Sequence, residues 1–253
     1  MKSISSKKLK GNIIIPGDKS ISHRLVILSS ISIGKSTIKG ILKSDDIMKS
    51  INVMRSFGAS IDFTSSNNCI IRGIGLGGLE EPKSALDFGN SGTSARLIMG
   101  LSSTHPITTI FIGDDSLSMR PMKRVVKPLL NFGSNFSLRK DNFLPLILKG
   151  TDNSIPFNYK LSEPSAQIKS AVLLGALNTP GVTTVIDKFN TRDHTEKLLS
   201  LYGAEINISK KNGMKKISIK GVKDLNAIKT NVPGDPSSAL FPIIAALICK
   251  GSN

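Results

Sequence analysis

The 253-residue chain contains no tryptophan and only two cysteines, Cys69 and Cys249. Two isolated cysteines exclude a disulfide scaffold and a zinc site built from paired Cys-x-x-Cys motifs. Aromatic residues make up only 5% of the sequence, and no basic run is interleaved with residues that could stack on bases. These absences argue against a small disulfide-rich protein and against a nucleic-acid binder that relies on stacking.

Long apolar runs are also missing. The longest, residues 239–249, has 11 residues and contains Pro242, so it is too short to span a bilayer. The basic N-terminus is not followed by the apolar stretch of a secretory signal. We therefore expect a soluble, cytoplasmic protein that does not bind a membrane. Hydrophobic residues still make up 39% of the chain, enough for a real core.

Acidic residues are scarce relative to basic ones. There are 18 Asp and Glu against 34 Lys and Arg, a formal net charge of +16. Lysines spread over solvated faces raise the isoelectric point without forming a site, and 26 of the 34 basic residues are lysines. The surplus also suits nucleic acid, an anionic surface or small anionic substrates. A non-catalytic basic module that binds RNA is therefore one alternative for the function.

The sequence contains an internal repeat of about 72 residues. A short polar turn precedes an apolar, helix-like segment four times. The serines of these turns, Ser20, Ser91, Ser165 and Ser237, are spaced by 71, 74 and 72 residues. A β-branched strand, a second helix and further strands follow in the first three copies. The second helix ends at an aromatic-glycine pair, in which the glycine is a natural left-handed cap: Phe57-Gly58, Phe132-Gly133 and Tyr202-Gly203.

Each unit is expected to begin with a strand, which in the first unit would be residues 13–15. The first helices of the four units are predicted at residues 23–33, 93–101, 167–177 and 239–249. The fourth unit stops where its second strand should begin, so we expect the chain to be a fragment of a longer protein. The repeated order of elements predicts an α/β (α+β) fold.

The polar turns carry the candidate binding residues, because helix N-termini present free N–H groups and a partial positive charge to anions. The first turn supplies Lys19, Ser20 and Arg24. An ordinary helix cap by Ser20 or Ser22, with two solvated cations, would also explain that turn. The second turn contains Gly92, which lets the backbone approach a ligand closely.

Two further arginines lie next to predicted helix starts. If Pro121 is the first helical residue, Arg120 lies at the positive end of a helix, which is unfavourable unless an anion shares the site. We therefore interpret Arg120 as an anion ligand. Arg192 also precedes a helix. The third turn repeats the capping pattern with Ser165, Ala166 and Gln167.

Five motifs resemble those of the EPSP synthase family, the 3-phosphoshikimate 1-carboxyvinyltransferases. They are PGDKSISHR at residues 16–24, GNSGT at 89–93, SMRPM at 118–122, SAQIKSA at 165–171 and TRDHT at 191–195. They occur in the family's order over the whole chain and are most similar to the bacterial class II branch. The sister family, the UDP-N-acetylglucosamine enolpyruvyl transferases, shares the fold but carries Lys-Asn where Lys19-Ser20 stands. It is kept as the alternative enzyme.

The resemblance implies an inside-out α/β barrel built of βαβαββ repeats. Two such domains of three repeats are joined by a double crossover, and the substrates bind in the cleft between them. Residues 16–232 would be one complete three-repeat domain, and residues 1–15 and 233–253 a truncated part of the second domain. The resemblance further implies a monomer at full length.

The implied reaction transfers the carboxyvinyl group of phosphoenolpyruvate to the 5-hydroxyl of shikimate 3-phosphate, in chorismate and aromatic amino acid biosynthesis. It uses no metal or organic cofactor. The family's proton-transfer residues are expected beyond Asn253, so the fragment alone is expected to be inactive. Because Gly92 stands where some class II members carry alanine, we expect sensitivity to glyphosate. The implied shikimate 3-phosphate ligands are Lys19, Ser20, Arg24, Ser165, Ala166, Gln167 and Arg192. The implied phosphoenolpyruvate ligands are Lys19, Gly92, Arg120 and Gln167.

Overall fold

The computed structural model describes residues 8–211 and 213–252. The helices are α1 (Lys19–Ser30), α2 (Asp45–Ser56), α3 (Gly92–Ser102), α4 (Asp115–Ser118), α5 (Lys123–Leu129), α6 (Ala166–Leu177), α7 (His194–Leu201) and α8 (Pro236–Ile248). The strands are β1 (Ser32–Lys39), β2 (Ser60–Phe63), β3 (Cys69–Ile74), β4 (Leu86–Asp87), β5 (Thr108–Ile112), β6 (Asn135–Arg139), β7 (Phe143–Lys149), β8 (Asn158–Lys160), β9 (Val182–Asp187), β10 (Glu205–Lys211), β11 (Met214–Lys220), β12 (Leu225–Asn226) and β13 (Lys229–Asn231).

Three sheets of matching topology reflect the sequence repeat. The second sheet has the order β4-β5-β7-β6 and the third β8-β9-β11-β10. In both, the first two strands are parallel and the remaining pairs are antiparallel. The first sheet follows the same plan with β1, β3 and β2. Its parallel partners are β12 and β13, which pair with the two ends of β1.

The strand predicted at residues 13–15 is absent, which corrects the expectation for the first repeat. The position beside β1 that this strand would fill is taken by β12 and β13, which come from the end of the third repeat. Ile13 and Ile14 are instead 66% and 95% exposed. Ile13 lines a shallow depression with Pro242 and Ala245 of α8. Residues 1–7, also part of the predicted second-domain segment, lie outside the described residues.

The core lies between helices and sheets, with α1, α3 and α6 enclosed. These three helices are buried around almost their whole circumference. Helices α3 and α6 cross closely at Gly100, where a Cβ atom would lie 2.1 Å from the carbonyl oxygen of Ala171. Central helices surrounded by sheets confirm the inside-out barrel.

Helices α3 and α6 run parallel to each other. At their N-terminal ends Gln167 donates a hydrogen bond of 3.0 Å to Thr93 Oγ1. At their C-terminal ends Asn178 donates one of 2.6 Å to the carbonyl oxygen of Thr104. The two helix N-termini therefore lie at the same edge of the domain.

The aromatic-glycine pairs follow the second helix of each unit as predicted. In the second unit a 3-10 turn, Leu130–Phe132, connects α5 to Gly133. Gly58, Gly133 and Gly203 have φ angles of +102°, +98° and +81°. The preceding aromatic side chains are fully buried. Glycine is required here because a side chain in the left-handed region is strained.

The chain crosses one face of the domain twice. Residues 16–18 and 233–235 run side by side: the Asp18 amide donates to the Pro233 carbonyl over 2.8 Å, and the Asp235 amide to the Pro16 carbonyl over 2.9 Å. Helix α8 follows, and none of its residues is buried. Its Phe241 is 79% exposed. Within residues 8–211 and 213–252, no helix is both long and apolar enough to cross a membrane.

Candidate anion-binding site

The N-terminus of α1 carries the first candidate residues. The helix is capped by Asp18, whose carboxylate accepts a 2.8 Å hydrogen bond from the Ile21 amide. This corrects both the predicted start of the helix, which is four residues too late, and the suggestion of a serine cap. Lys19 is half exposed and its ammonium lies 3.0 Å from Asp46 of α2. The structure thus pairs Lys19 with a carboxylate rather than with another predicted ligand residue.

Arg24 is held rigidly beneath that helix start. Its Nε donates to Thr195 Oγ1 over 2.6 Å, and its Nη atoms donate to the Ser20 carbonyl and Ser170 Oγ over 2.9 Å each. The side chain is buried, with 6% of its surface exposed. Burial lowers the pKa of Arg24 to about 10, partly opposed by the negative charge of Glu196. It is therefore a desolvated cation at neutral pH.

The N-terminus of α3 begins at Gly92, which is flanked by two guanidinium groups. A Cβ atom at Gly92 would lie 3.2 Å from Nη1 of Arg120 and 3.2 Å from Nη1 of Arg96. The N-cap residue Ser91 makes no side-chain cap, and its buried hydroxyl has no hydrogen-bond partner among the described residues. Two guanidinium groups therefore converge on the N-terminus of a helix, as expected of an anion site.

Arg120 is a candidate for a different reason from the one predicted. Pro121 is not helical, and α5 begins only at Lys123. Arg120 therefore follows the short α4 and does not lie at the positive end of α5. Its guanidinium is oriented by Ser116 Oγ at 3.1 Å and by the side chain of Asn90. These contacts point it toward the start of α3.

Sequence reasoning missed Arg96. This residue is 5% exposed, and its Nε is buried without a partner among the described residues. Burial, followed by the positive charges of Arg124 and Arg120, lowers the pKa of Arg96 to about 10. Its position near the start of the helix predicted after GNSGT could have drawn attention to it, because a cation near a helix N-terminus opposes the dipole.

Gln167 joins the second and third turns. Its Oε1 accepts a 2.7 Å hydrogen bond from Arg96 Nη1, and its Nε2 donates to Thr93. Ala166 is the first residue of α6, and Ser165 caps the helix by accepting a 3.3 Å hydrogen bond from the Ile168 amide. The carboxamide of Gln167 therefore lies between α3 and α6.

Arg192 is exposed in the loop before α7. Arg192 and Arg24 both lie near His194. Burial is the main cause that lowers the pKa of His194, and the positive charges of Arg24 and Arg192 lower that pKa further. The structure thus brings Arg24 and Arg192 near each other, and it brings Arg96 and Arg120 to Gly92 at the start of α3. Several fixed cations and free backbone donors at one edge can bind phosphate and carboxylate groups.

Comparison with known proteins identifies close relatives. The sequence model of the family described as EPSP synthase (3-phosphoshikimate 1-carboxyvinyltransferase) matches residues 4–253. A 3-phosphoshikimate 1-carboxyvinyltransferase of Parvibaculum lavamentivorans is 48% identical over 249 residues, which is 98% of this chain and 55% of that protein. One from Chelativorans sp. is 49% identical over 254 residues, covering 100% of this chain and 56% of the relative.

A solved structure shows the same fold. The EPSP synthase of Acinetobacter baumannii superposes with a TM-score of 0.88 at 36% sequence identity, over 97% of this chain and 54% of that chain. The chain therefore spans a little over half the length of the relatives it matches.

Proposed function

Because the chain belongs to the EPSP synthase family, we propose that it serves the transfer of the carboxyvinyl group from phosphoenolpyruvate to the 5-hydroxyl of shikimate 3-phosphate, with release of phosphate. The chain spans little more than half the length of its relatives. The observation that supports it most is the meeting of the starts of α3 and α6 through Arg96 and Gln167, beside the buried Arg24.

The proposed ligand residues form two neighbouring groups. Arg24 and Arg192 are near each other and are assigned to shikimate 3-phosphate, whereas Gly92 and Arg120 are near the start of α3 and are assigned to phosphoenolpyruvate. Gln167, at the start of α6, is assigned to both substrates. The remaining ligands assigned to shikimate 3-phosphate are Lys19, Ser20, Ser165 and Ala166, with Lys19 also assigned to phosphoenolpyruvate.

The electrostatics of the site suit this pair of substrates. The two substrates carry phosphate and carboxylate groups that repel each other in water, and neighbouring cations remove that repulsion. When the 5-hydroxyl adds to C2 of phosphoenolpyruvate, it loses its proton and C3 gains one, which gives a tetrahedral intermediate. Phosphate then departs from C2 as C3 loses a proton, and the C2–C3 double bond forms again. Arg120 and the amides at the start of α3 are suited to stabilise the departing phosphate, since they are fixed before the reaction.

Proton transfer is not assigned to a residue of this chain. The carboxylates beside the proposed ligands are already engaged: Asp18 caps α1, Asp46 pairs with Lys19 and Glu196 with Lys169. We therefore propose ligand binding, and not turnover, for the 253 residues by themselves.

Residues 16–232 are proposed to form one complete domain. Two features support this: β12 and β13 complete the first sheet, and residues 16–18 pair with 233–235 as two adjacent chain crossings. The exposed α8, which follows the second crossing, is proposed to belong to the second domain together with residues 1–15.

Calorimetric titration of this chain with shikimate 3-phosphate tests the proposal. We expect binding that Arg24→Ala and Lys19→Ala each weaken by about tenfold or more, because each removes a charge-assisted contact. Arg72→Ala is the matched control, since Arg72 on β3 is exposed and paired with Asp62 on β2. No binding of shikimate 3-phosphate would contradict the proposal, and binding of UDP-N-acetylglucosamine instead would favour the sister family. Turnover by the chain alone in a phosphate-release assay would contradict the binding-only role.

A further inference from the structure

Three fully buried charged side chains form a cluster that none of the assigned ligand contacts uses. The ammonium of Lys169 on α6 lies 3.1 Å from Asp187, at the end of β9, and 2.6 Å from Glu196 on α7. One cation and two carboxylates give the cluster a net charge of −1. Buried ion pairs rarely add stability compared with apolar residues of similar size. Their presence beneath the proposed site therefore calls for another explanation.

Asp187 fixes the loop that carries Arg192. Its Oδ1 accepts a 2.9 Å hydrogen bond from the Phe189 amide. Its Oδ2 accepts bonds of 3.0 Å and 2.7 Å from the amide and hydroxyl of Thr191. Burial raises the pKa of Asp187, but the bonds from Thr191, Phe189 and Lys169 outweigh burial and hold it below its ordinary value. The carboxylate is thus ionised, and it holds the loop in place by accepting hydrogen bonds from Phe189 and Thr191.

Lys169 holds the same loop from its other side. Its ammonium donates a 3.3 Å hydrogen bond to the carbonyl oxygen of Thr191. All three polar groups of Thr191 are therefore tied to the cluster, and Arg192 is the next residue in the chain. The loop also includes Asn190 with a φ of +52°, a conformation that only a few residue types adopt readily. The base of the Arg192 side chain is consequently fixed relative to α6.

The residues adjacent to the cluster hold Arg24. Ser170 follows Lys169 on α6, and Thr195 precedes Glu196 on α7. Both hydroxyls accept hydrogen bonds from the Arg24 guanidinium and contact each other at 2.6 Å. The ion cluster thus joins α6 to α7 next to the two residues, Ser170 and Thr195, that accept hydrogen bonds from Arg24.

We propose that Lys169, Asp187 and Glu196 are positioning residues that set the distance and orientation of Arg192 relative to Arg24 for binding shikimate 3-phosphate. This inference rests on the proposed function. Arginines that are fixed before the ligand arrives lose less conformational freedom on binding, which raises affinity. A purely structural cluster would stabilise the fold without changing how Arg192 contributes to binding.

Thr191 offers a test that leaves the buried charges in place. Thr191→Val removes the hydroxyl that donates to Asp187. We expect it to weaken binding of shikimate 3-phosphate by about three- to tenfold, which is less than the full value of a hydrogen bond to a charged group because Thr191 acts on the ligand only through Arg192. Thr191→Ser keeps the hydroxyl and is the matched control with near-normal affinity. If Thr191 acts through Arg192, the effect of Thr191→Val disappears in an Arg192→Ala background. Equal losses in both backgrounds, or full affinity of Thr191→Val, would overturn the proposal.

A second variant tests the cluster itself. Lys169→Met with Glu196→Gln removes one charge of each sign, so the net charge of −1 is kept on Asp187. We expect weaker binding of shikimate 3-phosphate and faster amide hydrogen exchange in residues 188–193 without ligand, with protection of β9 and β11 retained. Unchanged exchange in that loop would contradict the positioning role. Wild-type chain that binds no shikimate 3-phosphate would contradict the proposed function instead, so the two failures are distinct.

Discussion

Gln167 on α6 accepts a 2.7 Å hydrogen bond from Arg96 on α3, and the two residues lie 71 positions apart in the sequence. The same carboxamide donates to Thr93, so both of its polar atoms are engaged. This contact links the helix starts of two successive repeats, which are also the turns that hold most of the proposed ligand residues. The geometry of the proposed site therefore depends on how the second and third repeats pack against each other.

Replacing Gln167 tests that link. Gln167→Met should lower the free energy of unfolding by about 1–3 kcal/mol, because Arg96 then loses an acceptor in a buried place. Affinity for shikimate 3-phosphate should fall as well. Urea denaturation and calorimetry measure the two effects. The double variant Arg96→Met with Gln167→Met should recover part of the lost stability, since no orphaned guanidinium remains, and strictly additive losses would contradict this account.

Gly92 leaves no room for a methyl group. Gly92→Ala would place Cβ 3.2 Å from Arg96, 3.2 Å from Arg120 and 3.3 Å from Leu117. The two guanidiniums must move by a few tenths of an ångström, and we expect the anion affinity of the α3 end to drop. Competition between phosphoenolpyruvate and glyphosate for the protein loaded with shikimate 3-phosphate measures this loss of affinity. Gly77→Ala is the control, because nothing lies within 4 Å of its Cβ, and equal effects at the two positions would refute the argument.

Periodic and local features of the fold were predictable from the sequence. Helices α3 and α6 begin and end within one residue of the predicted bounds, and the aromatic-glycine pairs end helices as expected. The partner of β1 was not predictable, since the Ile-Ile-Ile run at residues 13–15 has more strand character than Lys-Thr-Asn at residues 229–231. Long-range pairing, rather than local propensity, decides which of the two segments joins the sheet.

The residues of the site also divide into those that local sequence features predict and those that only the tertiary structure reveals. Sequence reasoning selects Arg120 by predicting that a helix begins at Pro121, but α5 begins at Lys123. It missed Arg96 and Lys169, whose importance comes from burial between helices and not from a turn signature. The ligand roles of the selected residues stay predictions, and the variants proposed above test them.

Buried His23 should make stability depend on pH. Burial lowers its pKa from 6.5 to about 3, with the nearby Asp46 opposing that shift. Below pH 6.5 the unfolded chain binds a proton at this residue that the folded chain does not, so stability falls as pH falls, by about 1.4 kcal/mol per pH unit. His23→Asn cannot titrate and still offers a polar partner to Ser50, which contacts His23 Nδ1 at 2.7 Å. Urea denaturation from about pH 7 to about pH 5 should show a shallower loss for the variant; parallel curves would count against a neutral His23.

The close contact between α3 and α6 at Gly100 predicts a large loss of stability when a side chain is added there. Gly100→Ala would bring Cβ to 2.1 Å from the carbonyl oxygen of Ala171, a backbone atom that cannot rotate away. Helices α3 and α6 must then separate, and we expect a loss of more than about 2 kcal/mol in the free energy of unfolding, typical of overpacked cores. Separation would also stretch the contact between Arg96 and Gln167, so ligand affinity should fall even where the variant is folded. Urea denaturation measures the first effect and calorimetry below the unfolding transition the second. Gly77→Ala again serves as the control, and a Gly100→Ala variant of wild-type stability would show that the two helices do not need this close approach.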